Sequence, residues 1–190
     1  MLLAGPNGAG KSTLYETRVA PAFAGPFINA DLIQRDELRD ASMQASYEAA
    51  RIAEARRTEI MQAGRSFATE TVFSHPSKLD VIEEARGRGY LVVVMHVGVD
   101  SPDLSVARVR GRTEEGGHDV PEEKIRARYT RVQPLIRAAV LRADRGMVFD
   151  NSRLNTPPRQ MLVFARGRLV SAAPILPDWI LGAYSDDLVL

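Results

Sequence analysis

Residues 5–12 of the chain have the spacing of a phosphate-binding loop. They read GPNGAGKS, which fits the pattern of glycine, four residues, glycine, lysine and then serine or threonine. Glycines let the backbone turn its N–H groups inward toward an anion. The ammonium group of Lys11 suits the outer phosphates of a nucleotide, and the hydroxyl of Ser12 can ligate Mg²⁺. The pattern predicts a nucleotide site at Gly5, Pro6, Asn7, Gly8, Ala9, Gly10, Lys11, Ser12 and Thr13.

The sequence around this loop favours the functional interpretation. An apolar, strand-like run at residues 1–4 precedes it, and residues 13–16 can open a helix. The positive end of that helix would face the bound phosphates. An ordinary glycine-rich turn would explain the glycines, but it gives no reason for the Lys-Ser pair at this spacing.

Two carboxylates are candidates for the chemistry that follows nucleotide binding. Asp31 comes directly after a short apolar run at residues 27–30 and could accept the proton of a nucleophile. It could equally cap a helix, and the local sequence leaves both interpretations open. Glu70 lies in the strand-like segment 66–73, where an unpaired carboxylate would be costly to bury. It is therefore a candidate for the Mg²⁺ shell or for binding a substrate hydroxyl.

An arginine-rich region predicts a lid over the nucleotide. Residues spaced three or four apart share one face of a helix, and two arginine pairs have this spacing. The pairs are Arg108 with Arg112 and Arg128 with Arg131. The hinge-like segment 113–118 separates them, so a flap at about 101–131 could close on the triphosphate and neutralise its charge. Alternatively, the helices lie at the surface and carry many arginines that pair with Glu122 and Glu123. His118 is more suited to capping or packing.

Strands that alternate with helices predict a parallel α/β sheet flanked by helices. In such sheets, ligands bind outside the carboxyl ends of the strands. That rule brings together the phosphate loop, Asp31, Glu70, Asp100 and Asn151, which each follow or end a predicted strand. Beyond the last of these strands, residues 161–165 and 169–172 predict a hairpin, and residues 176–190 predict a final helix.

Composition limits the class of protein. The 190 residues suit a single domain, with 45% hydrophobic and 26% charged residues. The net charge of +1 argues against a dedicated nucleic-acid binder. Cysteine is absent, which excludes disulfides and fits a reducing cytoplasm. We expect a cytoplasmic protein, because no apolar run is long enough for a membrane span and the loop begins too early to leave room for a signal peptide.

Taken together, these motifs resemble the zeta-toxin family of P-loop kinases. The resemblance runs from Leu2 to about Ser152 and rests on five segments. They are residues 5–13 (GPNGAGKST), 27–31 (FINAD), 69–71 (TET), 116–121 (GGHDVP) and 148–152 (VFDNS). The phosphate loop is common to many families, whereas its combination with Asn-Ala-Asp and a glutamate inside a strand is much more specific.

The resemblance implies binding of ATP and Mg²⁺ and transfer of phosphate to a sugar hydroxyl of UDP-N-acetylglucosamine. By similarity, Asp31 matches the general base, Glu70 the carboxylate on the substrate side, and Lys11 and Ser12 the contacts to phosphate and metal. The expected site then comprises four groups of residues. They are Asp31, Lys11, Arg112 and Arg128 for catalysis; the phosphate loop with Asn151 for ATP; Asp31, Glu70 and Thr71 for the acceptor; and Ser12 and Glu70 for the metal.

This chain departs from the family at two places, and the resemblance also implies a partner. The lid arginines do not align uniquely with those of better-known members, and the Glu-Gly-Thr of the family is here Glu-Thr-Val at residues 70–72. A toxin role implies an antitoxin protein. Two other functions remain open: a nucleotide-switched binding module without transfer activity, and a polynucleotide or RNA-repair kinase.

Overall fold

The computed structural model describes residues 1–114 and 120–189. In chain order, the strands are β1 (Leu2–Ala4), β2 (Phe27–Ile28), β3 (Ala68–Thr71), β4 (Val93–Gly98), β5 (Arg145–Asp150), β6 (Arg159–Ala165) and β7 (Arg168–Ala172). The α-helices are α1 (Lys11–Leu14), α2 (Ala30–Leu32), α3 (Met43–Gln62), α4 (Lys78–Gly87), α5 (Pro102–Glu114), α6 (Glu122–Arg142) and α7 (Asp178–Tyr184). Helix α1 continues as a π-helical segment, Tyr15–Val19, and α2 continues as another, Ile33–Leu38.

The strands form one seven-stranded sheet in the order β2-β3-β1-β4-β5-β6-β7. The first five strands along the chain are parallel, and β1 lies between β3 and β4. The strands β6 and β7 are antiparallel additions at one edge. The carboxyl ends of β1 to β5 therefore meet along one edge of the sheet, as the sequence predicted.

The predicted C-terminal hairpin is confirmed, and it extends the main sheet rather than standing apart from it. Strand β6 pairs with β5, so the sheet is mixed. The turn between β6 and β7 consists of Arg166 and Gly167, both with positive φ (49° and 78°). Two positive φ values are what a tight hairpin turn needs to match the twist of its strands.

Residues 32–44 are largely helical. The π-helical segment after α2 ends at Arg39, whose φ of 52° is left-handed. Helix α3 then begins at Met43, where the side chain of Ser42 accepts a hydrogen bond from the N–H of Ala45 and caps the helix.

The core lies on both faces of the sheet, and the side chains of β1 point alternately to one face and the other. Leu2 and Ala4 join one buried cluster, whereas Leu3 joins the other. The predicted last helix docks on the first face, where the hydroxyl of Tyr184 lies 2.8 Å from Nδ1 of the fully buried His96. A third, small cluster belongs to α5, α6 and Val120, which lies two positions before α6. Its members are Val106, Val109, Val120 and Ile125.

Candidate active site

The phosphate loop is held open by backbone conformations that require glycine. Gly8 and Gly10 have φ values of 73° and 89°, in the left-handed region. A Cβ atom at Gly10 would also collide with the side-chain amide of Asn151. That amide donates a 2.8 Å hydrogen bond to the carbonyl oxygen of Ala9. Asn151 thus braces the loop from the end of β5.

A cleft of about 740 Å³ lies beside this loop at the carboxyl edge of the sheet. The predicted site residues that line it are Gly8, Gly10, Lys11, Ser12, Thr13, Asp31, Glu70, Arg112 and Asn151. Thr71 instead lines a neighbouring cavity, and Asp100 lines neither of these two cavities. The topology therefore brings Lys11, Asp31 and Glu70 to one cavity, although the first follows β1, the second follows β2 and the third lies within β3.

Glu70 is the centre of a polar cluster next to the loop. Its Oε2 accepts hydrogen bonds from Ser12 Oγ (2.9 Å) and from Asn29 Nδ2 (3.0 Å). Its Oε1 lies 3.6 Å from Lys11 Nζ, and both side chains of this ion pair are less than a tenth exposed (6% and 9%). Burial of Glu70 is thus compensated by a cation and two donors, as its position within a strand required.

The cluster offers oxygen ligands for a hard cation. Ser12 Oγ and a carboxylate oxygen of Glu70 lie side by side on the cleft wall. Among the described residues, no group of three His, Asp or Glu side chains could hold a metal ion. Mg²⁺ commonly binds through one or two protein oxygens together with substrate phosphates and waters, and the pair Ser12 and Glu70 fits that mode.

The carboxylate of Asp31 is not used as a helix cap. Asn29 is the N-cap of α2, since its Oδ1 accepts a 2.8 Å hydrogen bond from the backbone N–H of Asp31. Asp31 itself is exposed and lines the cleft. Within residues 1–114 and 120–189, its side chain has no hydrogen bond. It is therefore available to accept a proton, and the helix-cap interpretation falls to Asn29.

Asn29 is the functional residue that sequence reasoning missed. It is buried (5% exposed) and binds both acids at once, through Oδ1 to the N–H of Asp31 and through Nδ2 to Glu70. Its place in the Asn-Ala-Asp motif was the only available signal. The role itself depends on Glu70, which is 41 positions away in the chain.

The lid arginines divide into two groups. Arg110 and Arg126 form ion pairs with Glu122, as the surface interpretation predicts. Arg108 and Arg112 line the cleft, and Arg128 Nη1 donates a 3.3 Å hydrogen bond to Asn7 Oδ1 in the phosphate loop. Arg131 is exposed and is not among the residues that line the cleft, so the second predicted pair does not reach the site as a pair. His118 lies outside the described residues.

Arg108 has the most unusual environment of these arginines. Burial lowers its pKa, and the nearby Asp150 partly counteracts this. Its Nη2 donates a long 3.4 Å hydrogen bond to the carbonyl of Arg153, whereas its buried Nη1 has no hydrogen-bond partner in the described part of the chain. A desolvated guanidinium with a spare donor is suited to bind an anion.

The family follows from comparison with known sequences. The sequence model of the zeta toxin family matches residues 1–156. The chain belongs to the zeta toxin family. An uncharacterized protein of Haemophilus influenzae is 27% identical over an alignment of 140 residues, and the match covers 66% of this chain and 88% of the relative.

Solved structures share the fold. A chain from the PezAT chromosomal toxin–antitoxin system of Streptococcus pneumoniae matches with a TM-score of 0.59 at 17% identity, covering 79% of this chain and 67% of that one. The AvrRxo1-ORF1:AvrRxo1-ORF2 structure with ATP matches with a TM-score of 0.67 at 15% identity, covering 90% and 60%. The zeta toxin family member described here therefore has a P-loop kinase fold. Its described helices include none that is both apolar enough and long enough to cross a bilayer.

Proposed function

We propose that this protein is an ATP- and Mg²⁺-dependent kinase that transfers the γ-phosphate to a hydroxyl of a small molecule. We take a UDP-sugar such as UDP-N-acetylglucosamine as the leading acceptor, because the chain resembles zeta-toxin kinases that use it. The observation that carries the proposal is the position of Asp31, whose carboxylate is released from capping and faces the same cleft as Lys11 and Glu70.

Each residue then has a defined part in the transfer. The acceptor oxygen forms a bond to the γ-phosphorus, the bond from that phosphorus to the bridging oxygen breaks, and ADP leaves. The proton of the acceptor passes to the carboxylate of Asp31. Lys11 and the N–H groups of the phosphate loop hold the phosphates in place. Mg²⁺, when bound, neutralises phosphate charge, and Ser12 and Glu70 are the residues that would hold it.

We assign the lid function to residues 101–131 within a single domain spanning 1–190, with residues 153–190 as an extension. The small cluster of α5 and α6 supports this assignment, because it is separate from the two clusters on the sheet. A 2.6 Å ion pair between Asp103 and Arg126 also joins the two helices. Arg112 and Arg128 would bring positive charge to the transferred group as the lid closes.

A protein partner is part of the proposal. The PezAT system and the AvrRxo1-ORF1:AvrRxo1-ORF2 complex each combine two proteins, and the first is a toxin–antitoxin pair. An antitoxin that binds over the cleft would prevent the nucleotide or the acceptor from binding there. Pull-down of the chain with the product of a neighbouring gene, with and without excess ATP, tests this idea.

The central test is transfer from γ-labelled ATP to a panel of nucleotide-sugars, nucleosides and 5′-hydroxyl oligonucleotides, read by mass spectrometry. Lys11→Ala should abolish nucleotide-dependent activity. Asp31→Asn should keep ATP binding and lower transfer by about two orders of magnitude or more, because the base is lost and the cleft is not. Asp80→Asn, an exposed carboxylate on α4, is the matched control and should behave as wild type.

Three outcomes would count against the proposal. Undiminished turnover in Asp31→Asn rejects this residue as the base. Binding of ATP without transfer to any acceptor favours a nucleotide-switched module. Transfer to oligonucleotides that weakens steeply with salt favours a polynucleotide kinase.

A further inference from the structure

The last α-helix of the chain, α7, reaches the edge of the sheet where the nucleotide cleft lies. The family match ends at residue 156, so α7 lies outside the part of the chain that the family explains. Its Trp179 is the single tryptophan of the sequence and is buried. The indole lies against Gly98 at the end of β4, where a Cβ atom would collide with the ring. Glycine at this position therefore admits the indole to the carboxyl edge of the sheet.

The indole is hydrogen-bonded to a carboxylate that lies next to the phosphate loop. Trp179 Nε1 donates a 2.9 Å hydrogen bond to Oδ1 of Asp150, the last residue of β5. Ser152 Oγ donates to the same oxygen at 2.5 Å. Asn151, which lies between these two residues in the chain, braces the phosphate loop through its amide. Hydrogen bonds to a charged acceptor are strong, so the two donors fix the orientation of the Asp150 carboxylate beside the loop.

Asp150 also carries a negative charge that acts on both lid helices. Burial lowers the pKa of Arg108 on α5, and the charge of Asp150 opposes this shift. Burial, Asp100 and Asp150 together raise the pKa of Tyr129 on α6 to about 12. Charges interact strongly at short range where water is partly excluded. Helices α5, α6 and α7 therefore meet around one carboxylate, and α7 is the helix that donates a hydrogen bond to it.

Arg108 is the group in the cleft whose position depends on this carboxylate. Its half-buried side chain lines the nucleotide cleft. Among the residues that the structure describes, its Nη1 has no hydrogen-bond partner and its Nη2 makes a long 3.4 Å hydrogen bond to the carbonyl of Arg153. A guanidinium that is partly withdrawn from water needs a compensating charge, which Asp150 supplies. Because the guanidinium is rigid and planar, attraction to one carboxylate also restricts where its remaining donors point.

We propose that Trp179 is a positioning residue of the nucleotide site. It holds the carboxylate of Asp150, and Asp150 keeps the guanidinium of Arg108 in the cleft, where it binds the phosphates of the nucleotide. The proposal rests on the nucleotide binding of the kinase function above, and it gives the C-terminal extension a part in that function. Loss of the indole N–H releases one side of Asp150, so Arg108 is held less firmly and nucleotide affinity falls.

The test is a double-mutant cycle on nucleotide affinity. Binding of a non-hydrolysable ATP analogue with Mg²⁺ is measured by calorimetry for the wild type, Trp179→Phe, Arg108→Gln and the double variant. Trp179→Phe keeps an aromatic ring but has no donor, and we expect it to weaken binding about tenfold, as the loss of one charge-assisted contact does. Arg108→Gln should weaken binding by a similar factor. Once Arg108 is replaced, Trp179→Phe should weaken binding less than about threefold further, because both changes act through the same guanidinium.

Tyr184→Phe is the matched control on the same helix. It removes the hydroxyl that lies 2.8 Å from Nδ1 of His96, so it weakens the docking of α7 without removing the hydrogen bond to Asp150. It should lower the temperature of thermal unfolding and keep the nucleotide affinity of the wild type. Asp150→Asn is a second variant that does not depend on the folding of Trp179→Phe. It removes the charge that acts on Arg108, and it should also weaken binding about tenfold, but only when Arg108 is present.

The outcomes separate the role of Trp179 from the kinase function. Unchanged affinity in Trp179→Phe, an equal loss of affinity in Tyr184→Phe, or a loss that is the same with and without Arg108 would overturn the positioning role even if transfer occurs. If Trp179→Phe does not fold, unchanged affinity in Asp150→Asn overturns it. A wild type that binds the analogue and shows the coupling but transfers no phosphate would support the role of Trp179 and reject the kinase function alone. A wild type that does not bind the analogue would reject both.

Discussion

Asn29 connects Asp31, the proposed base, to Glu70, the proposed metal ligand, and its replacement tests that connection. Asn29→Ser keeps an oxygen that can accept from the N–H of Asp31, but it removes the amide that donates to Glu70 Oε2 at 3.0 Å. Asn29→Ala removes both contacts. The comparison of these two variants therefore separates capping of α2 from orientation of Glu70.

The expected magnitudes follow from the two hydrogen bonds. Loss of a side-chain N-cap costs about 1 kcal/mol of stability. A hydrogen bond to a charged group contributes about 1.5–3 kcal/mol. If the hydrogen bond from Asn29 to Glu70 serves to orient Glu70 during transfer, its loss in Asn29→Ser lowers kcat/KM by about 10- to 150-fold. Asn29→Ala should have a similar kinetic defect and should unfold with about 1 kcal/mol less free energy than Asn29→Ser.

The assay combines kinetics and unfolding. Transfer rates are measured over a range of Mg²⁺ and ATP concentrations, and urea unfolding gives the stability of each variant. A misoriented Glu70 should raise the Mg²⁺ concentration needed for half-maximal rate, which a purely structural role would not do. If Asn29→Ser stays within about twofold of wild-type kcat/KM, the reasoning about Glu70 is refuted.

Two further predictions concern the lid and the core. Arg128→Gln should lower kcat at least about tenfold, because the guanidinium of Arg128 lies against the phosphate loop. Arg131→Gln, at an exposed position, should leave kcat unchanged. Equal kcat values for the two variants in steady-state assays would contradict this prediction. Burial lowers the pKa of His96 from 6.5 to about 3, so the unfolded chain binds this proton first as the pH falls. Lowering the pH from about 7 to about 5 should therefore remove about 2 kcal/mol of stability that depends on His96. Urea unfolding of the wild type and of His96→Gln at both pH values measures this difference. An equal loss of unfolding free energy in the two proteins would contradict the prediction.

Local sequence was sufficient for the features that contiguous residues create. The phosphate loop, the order of strands and helices, the hairpin and the last helix were predicted, because each depends on periodicity or on turn residues within a short window. The short β2 strand and the helical residues after it were harder. The helical segment 33–38 lacks the periodicity of an ordinary α-helix because it is π-helical.

The roles of individual polar residues could not be read from their neighbours. The two interpretations of Asp31 were separated by where Asn29 directs its side chain. Glu70 is compensated by Ser12, which is 58 positions away, and by Lys11. Within the second arginine pair, spacing alone did not distinguish Arg128, which bonds to the phosphate loop, from the exposed Arg131.

The sequence by itself determined that this chain has a nucleotide loop in an α/β sheet, since a run of glycines with Lys-Ser and alternating apolar segments carry that information locally. Only the tertiary structure decided which acid is free, which is paired and which arginines reach the cleft. The physical reason is that the energy of a buried or half-buried charge depends on groups brought near it by folding, and those groups come from distant positions in the chain.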